Sequence, residues 1–221
     1  MNKLKQFILE NKSFRWLLLI TNWAYQGIPQ ADTSEKIYKI LFSVFATSFV
    51  LLILGFSIAN LVLAGFIGHT FNWLINCNIS VILIHRMKYF TTTKDALFNY
   101  LFSIQNRLKG KDWILFSVSS GGIIRGSMNK HSDIDINVVR KPGFINALKG
   151  LAYAVIERKR ADLYGIPLDV IISDSPEDCQ KKTDFTDNIV VLEDRQNLVQ
   201  NFYTKKLTLS NAKELNNQAG K

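Results

Sequence analysis

Residues 118–135 read Val-Ser-Ser-Gly-Gly-Ile-Ile-Arg-Gly-Ser-Met-Asn-Lys-His-Ser-Asp-Ile-Asp, and the alternation that ends this stretch continues through Ile136-Asn137-Val138. A period of two marks an extended strand with opposite faces of opposite character. Ile134, Ile136 and Val138 fall on one face, which is expected to point into a core. Asp133, Asp135 and Asn137 fall on the other. Ahead of them the apolar run Trp113 to Ser117 suits a buried strand, and the Gly121-Gly122 pair turns the chain between the two. The stretch therefore predicts two strands joined by a glycine-bearing turn, with acids at the start of the second.

Working outward, residues 93–110 carry Leu97, Tyr100, Leu101, Ile104 and Leu108 at helical spacing, with Thr92 or Thr93 as cap and Gly110 as stop. Pro142 and Gly143 break the chain. Phe144 to Tyr164 is the next helix, its apolar positions read as Ile145, Leu148, Leu151, Ala152, Val155 and Ile156. Leu168 to Ser173 is a third strand, and Asn188 to Leu192 a fourth. Glu193 to Tyr203 reads as helix and the tail from Leu207 as polar and frayed. The order helix, strand, turn, strand, helix, strand gives a small mixed α/β (α+β) unit.

Two carboxylates two residues apart on one strand face repel each other unless positive charge lies between them. A divalent cation with oxygen ligands, Mg²⁺ above all, supplies it. Asp169 stands within the otherwise apolar run 165–171, where a buried acid needs a partner. On a strand beside the first pair it completes a three-carboxylate site. The bland alternatives are an exposed strand edge for Asp133 and Asp135 and an exposed strand end for Asp169. Gly121-Gly122 lets backbone approach a ligand closely, and a short helix after it would aim free N–H groups at phosphate oxygens. Lys130, His131, Arg140 and Lys141 read as solvated residues rather than catalytic ones.

Gly121-Gly122, the Arg125-Gly126 step, Ser132 and Asp133-Ile134-Asp135-Ile136, followed by Asp169, resemble the nucleotidyltransferase superfamily of the polymerase-beta type. The minimal stand-alone prokaryotic domains of that superfamily are the nearest in pattern, over about residues 93–195. Gly122 departs from them, since they more often carry Ser there. The resemblance implies that Asp133, Asp135 and Asp169 hold two Mg²⁺ ions against a nucleoside triphosphate such as ATP. It implies that Gly121, Gly122, Arg125, Gly126 and Ser132 bind the nucleotide, with Arg125 neutralising phosphate charge. It further implies that Asp169 helps deprotonate a hydroxyl that attacks the α-phosphate, releasing pyrophosphate.

Upstream, no Asp, Glu, Lys or Arg occurs between Ile40 and His85. A bilayer-crossing helix needs roughly 20 mostly apolar residues, so residues 34–90 are expected to form a two-helix transmembrane hairpin. The spans are read at about 38–64 and 70–90, with the turn at Gly65 to Asn72; a turn at Ser57 to Asn60 is the competing choice. Asn76, Asn78 and Ser80 are expected to hydrogen-bond across the pair. Lys36 and Lys39 before the hairpin and Arg86 and Lys88 after it place both ends on the cytoplasmic side of a cell membrane. Residues 1–33 form an N-terminal segment without signal-peptide character; 2–25 suit an amphipathic, interfacial helix with Trp16, Trp23 and Tyr25 at headgroup depth. His69 and His85 read as interfacial. Residues 91–206 form the nucleotidyltransferase-like domain and 207–221 a polar tail.

The chain has 221 residues, 48% of them hydrophobic, and 27 Lys and Arg against 18 Asp and Glu, a net charge of +9. That balance favours nucleotides or an anionic membrane surface and does not by itself argue nucleic-acid binding, which stays open as an acceptor. Cys77 and Cys179 have no metal-type spacing and suit a reducing compartment. Three functions follow as expectations. The first is a membrane-anchored, Mg²⁺-dependent transferase moving NMP from an NTP to a hydroxyl acceptor, with a membrane protein or lipid-linked molecule favoured. The second is a non-catalytic, antitoxin-like nucleotide- or partner-binding module tethered to the bilayer. The third, a small transporter, lacks an ionisable residue within its spans.

Overall fold

The computed structural model describes residues 11, 14–183 and 189–219. Its centre is the strand pair that the glycine turn joins, β1 (Ile114–Ser120) and β2 (Ile134–Arg140), which run antiparallel with Ser120 opposite Asp135. β3 (Leu168–Ser173) lies parallel to β2, β4 (Ile189–Glu193) antiparallel to β1, and the short β5 (Lys206–Leu207) parallel to β4. The result is a five-stranded mixed sheet in the order β3-β2-β1-β4-β5, and a mixed α+β fold. The part of the fourth-strand expectation at Asn188, and that of the N-terminal helix before Asn11, lie outside the described residues.

Alternation sorts the sheet's two faces. Ile134, Ile136 and Val138 enter the larger core with Leu97, Leu101 and Ile104 of the helix Lys94–Leu108 and with Tyr153, Ala154 and Ala161 of the helix Phe144–Leu163. The opposite face buries Phe116, Val118 and Val139 under Cys179, Val199 and Tyr203 at one end only. Its other end, at Ser120, Asp135 and Asp169, faces a cavity.

Upstream of the sheet, α1 (Trp16–Tyr25) precedes the long pair α2 (Thr33–Leu54) and α3 (Ile58–Asn76), and the globular helices become α4 (Lys94–Leu108) and α5 (Phe144–Leu163). α2 and α3 are each long and apolar enough to cross a membrane, and only 11% and 17% of their most apolar windows are buried. Leu52, Phe56, Ile58 and Val62 are exposed, unlike the residues of a soluble core helix. The turn lies at Gly55–Ser57, close to the competing choice, and not at Gly65 to Asn72. Asn60 Nδ2 donates to Leu54 O and Gly55 O there, and Ser57 Oγ accepts from Asn60 N–H. Gly68 is no turn residue: a Cβ on it would lie 2.5 Å from Thr47 Oγ1 and 2.6 Å from Thr47 N, so it is the point where the two backbones cross.

The second span ends at Asn76, earlier than the sequence suggests. A π-helical turn, Val81–Arg86, follows, and Val81, Ile82 and Ile84 are buried. Across the pair it is Asn72 that bonds, Nδ2 donating to Lys39 O at 3.0 Å and Ser43 Oγ at 2.6 Å. Asn76 Nδ2 instead donates within its own helix to Asn72 Oδ1. Asn78 Nδ2 reaches Arg158 O and Ile166 O, and Ser80 N–H reaches Asp162 Oδ1, all in the globular unit.

Three further expectations fail. Only Val199–Asn201 within 193–203 is helical, as a 3-10 turn, because Asp194 carboxylate oxygens take the N–H groups of Leu198 and Val199 and close a tight loop. After the short helix α6 (Pro176–Lys182), the tail forms α7 (Leu209–Gln218), capped by Thr208 Oγ1 and buried through Leu209, Ala212 and Asn216. On α5 the buried stripe is Ala147, Gly150, Leu151, Ala154, Arg158 and Ala161. Ile145, Leu148, Ala152 and Ile156, read as core positions, are exposed.

Candidate functional site

β2 and β3 are in register with Asp135 beside Asp169 and Asn137 beside Ile171, so parallel pairing alone brings two of the acids onto one sheet face. Asp133 stands just before β2, on the same side. All three line a single cavity of about 970 Å³, a size that suits a small-molecule ligand. A second cavity of about 440 Å³ shares Asp133 and Asp135 as a wall and is lined beyond them by Gly121, Gly122, Arg125 and Ser132. The acids thus divide a two-lobed cleft. One lobe carries the glycine turn, the other Asp169 and the basic residues Lys36, Arg86 and Lys182.

The glycine turn has a local cause. Gly121 has φ +84°, and a Cβ there would sit 3.3 Å from Asp135 Oδ2. A side chain is disfavoured twice over, by backbone conformation and by the carboxylate, which would have to give way. The turn that follows, Gly121–Ile123, is a single 3-10 turn rather than a helix. Gly126, with φ +68°, faces α7: its Cβ would meet Ala219 at 3.3 Å and Leu215 at 3.4 Å, so it shapes the loop and lies outside both cavity linings. Ser132 Oγ accepts from Asn129 N–H at 2.8 Å, which ties the end of the loop. Asn216 on α7 holds its middle, Nδ2 donating to Ile123 O at 2.7 Å and Oδ1 accepting from Met128 N–H at 3.1 Å.

Burial, followed by the negative charge of Asp133 and Asp169, pushes the Asp135 carboxyl up to about 8, against the pull of Arg86 and Arg125. Asp133 is raised as well, first by burial and then by Asp169, while His85 opposes the rise. His85 Nδ1 lies 3.3 Å from Asp133 Oδ1 and 3.0 Å from His131 O. Two acceptors facing one ring nitrogen require that nitrogen to carry the proton. His85, read as an interfacial residue, therefore stands at the cleft.

Asn137 was legible as the next member of the acid face but carried no role in the sequence. In the structure it is buried, lines the cavity, and its Oδ1 has no hydrogen-bond partner. Such an orphan acceptor is uncommon. Arg140, expected at the solvated surface, is instead buried against Asp174, Nη2 to Oδ1 at 3.0 Å.

Compared with protein-family models, with curated proteins and with solved structures, the chain matches none. The chemistry is carried by geometry. Three carboxylates and a spare amide oxygen are hard donors of the kind Mg²⁺ takes, and Mg²⁺ commonly uses one or two carboxylates and leaves other positions to water and phosphate. Among the described residues no three His, Cys, Asp or Glu side chains are gathered into a ready metal cage. The donor set fits a cation held partly by its ligand rather than one enclosed by protein.

Proposed function

We propose that the chain is a membrane-anchored nucleotidyltransferase of the polymerase-beta type, moving NMP from a nucleoside triphosphate to a hydroxyl acceptor. The observation that carries this reading is the acid wall itself: Asp133, Asp135 and Asp169 around one cleft, with Gly121 so near Asp135 that a Cβ on it would lie 3.3 Å from the carboxylate. A bound Mg²⁺ would be held by Asp133, Asp135 and Asp169, and when present supplies positive charge to the phosphates and to the developing transition state.

The chain's own residues then divide the work. The lobe at Gly121, Gly122, Arg125 and Ser132 receives the triphosphate, close backbone approach and the Arg125 charge favouring it. The lobe at Asp169 receives the acceptor. The acceptor oxygen bonds to the α-phosphorus as the bond from that phosphorus to the bridging oxygen breaks. Pyrophosphate departs, and Asp169 takes the hydroxyl proton. Positioning of the two reactants on either side of one acid wall contributes most of the rate. His85 orients Asp133. The exposed apolar α2–α3 pair anchors the unit in a bilayer, and the basic residues at its two outer ends favour a cytoplasmic site. Anchoring raises the local concentration of a lipid-linked or membrane-protein acceptor.

The test uses full-length protein in lipid nanodiscs with Mg²⁺, each α-labelled NTP and membrane extract. Label is expected on an acceptor, and pyrophosphate in solution. Asp133→Asn with Asp135→Asn should abolish both while thermal unfolding stays cooperative. Turnover that survives the double substitution rules the assignment out, and nucleotide binding without turnover in the wild type marks a non-catalytic module.

A further inference from the structure

α5 carries two apolar stripes. One, through Gly150, Ala154 and Ala161, is buried against the sheet. The other, Phe144, Leu148, Ala152 and Ile156, recurs every fourth residue along one side of the helix, and all four are exposed. A helix of a soluble unit ordinarily has a polar outer face. The N-terminal half of this second stripe does not end in open surface. With Ala147 and Leu151 it forms one wall of a groove of about 740 Å³ whose other wall is Ile37, Leu41, Phe42 and Phe45 of α2. Polar groups lie at one end of the groove, at Ser34, Arg140 and Asp174, where α2 begins. Ser34 donates through N–H and Oγ to Asp174, which also pairs with Arg140, so that end is fixed.

The polarity gradient matches a lipid. From Ile37 to Phe45 the groove follows α2 for about 12 Å at 1.5 Å per residue, close to one leaflet's roughly 15 Å share of the hydrocarbon core. Its far end continues into a second apolar groove of about 360 Å³ that shares Phe42 and Phe45 and runs to Phe49 and Ile67 on the exposed hairpin. One wall is thus continuous with the surface read as facing lipid.

We infer that the α2–α5 groove holds an acyl chain of a bilayer lipid, with its headgroup at the Arg140 end, and that α5 lies against the membrane through its second stripe. This rests on the reading of α2 and α3 as a membrane anchor, and the test separates the two. Single cysteines replace Leu148 in the groove, Val62 one turn into α3 and Lys181 at the cleft rim, each labelled with an environment-sensitive fluorophore in full-length protein in nanodiscs. Cys77 and Cys179 are buried, and wild-type protein reacted alongside measures their background. Phosphatidylcholine with brominated chains should quench the label at 148 and 62 by roughly half or more, while iodide in the buffer should quench the label at 181. A label at 148 quenched by iodide instead overturns the inference. A label at 148 reached by neither quencher also overturns it, because protein, a second copy for instance, then covers the groove. Iodide quenching at 62 overturns the anchor reading and the groove with it, whereas lipid quenching at 62 alone leaves the anchor standing. If Leu148→Cys misfolds, Phe144→Cys is read in the same way.

Discussion

Asp135 shows how a single residue can be stabilising for chemistry and costly for the fold. Its ordinary value of 3.8 is raised to about 8 in the folded chain. Between those values the folded state holds a proton that the unfolded state has released, so stability falls as pH rises through that window and is lowest above it. Asp133, also raised, adds in the same direction. In metal-free buffer the denaturation midpoint should therefore drop from pH 5 to pH 8.5, Asp135→Asn should flatten the slope, and Mg²⁺ should restore stability at the alkaline end. A midpoint that is flat for the wild type would remove the electrostatic conflict from the site. At this scale the sequence was informative about the acids: a period of two put Asp133, Asp135 and Asn137 together, and an acid within an apolar run singled out Asp169. His85 and Arg86 read as residues of the hairpin's boundary, not of the cleft, because they reach it from a π-helical turn some 50 residues upstream, for which no local pattern exists.

Among the elements, α7 has the largest effect for its size. Asn216, fully buried, ties Ile123 O and Met128 N–H of the glycine loop to the end of the chain. Replacing it with Ala strands both groups, at a cost of about 1–3 kcal/mol. Asn216→Ala should lower the unfolding temperature and weaken triphosphate binding more than it slows a bound substrate. Equal nucleotide affinity in variant and wild type would show that the loop keeps its shape unaided. The helix was hidden because its outer face is Asn-, Lys- and Gln-rich, although Thr208, Leu209 and Ala212 gave a cap and the start of a stripe. The reverse error befell Gly68. Glycine beside His69 and Thr70 resembles a turn, yet here it allows α2 and α3 to touch. Strands β1 to β3 and helices α4 and α5 were legible in extent. For α5 the orientation was not, since two apolar stripes offer two equally good inner faces and only packing chooses between them.

For the whole molecule, the junction between the long helical pair and the sheet matters most. Arg158 of α5 is buried and donates to Glu35 of α2 at 2.8 Å, to Asn76 O of α3 at 3.1 Å and to Val170 O of β3. Lys39 closes on the same Glu35 at 2.9 Å and on Gln26 O. Nearby, Asp32 accepts from Asp174 N–H and pairs with Lys182 at 2.5 Å, so the N-cap position of α2 serves a tertiary contact. Breaking one partner of a buried pair costs about 3–5 kcal/mol, far more than the pair itself is worth. Glu35→Gln should therefore be strongly destabilising in nanodiscs, while Glu35→Met combined with Arg158→Met and Lys39→Met, which removes all three buried charges, should recover much of the loss. A mild Glu35→Gln phenotype would mean that water already screens Arg158 and Lys39.

That junction also bears on whether the globular unit could part from the two long apolar helices. Separation of the two after a cut at the exposed stretch Tyr89–Thr91 would strip Arg158 of its counter-charge and remove the cavity wall that Gln30, Asp32 and Lys36 supply. The freed fragment would unfold rather than diffuse away, so any control over where this protein works has to be exerted on the intact chain.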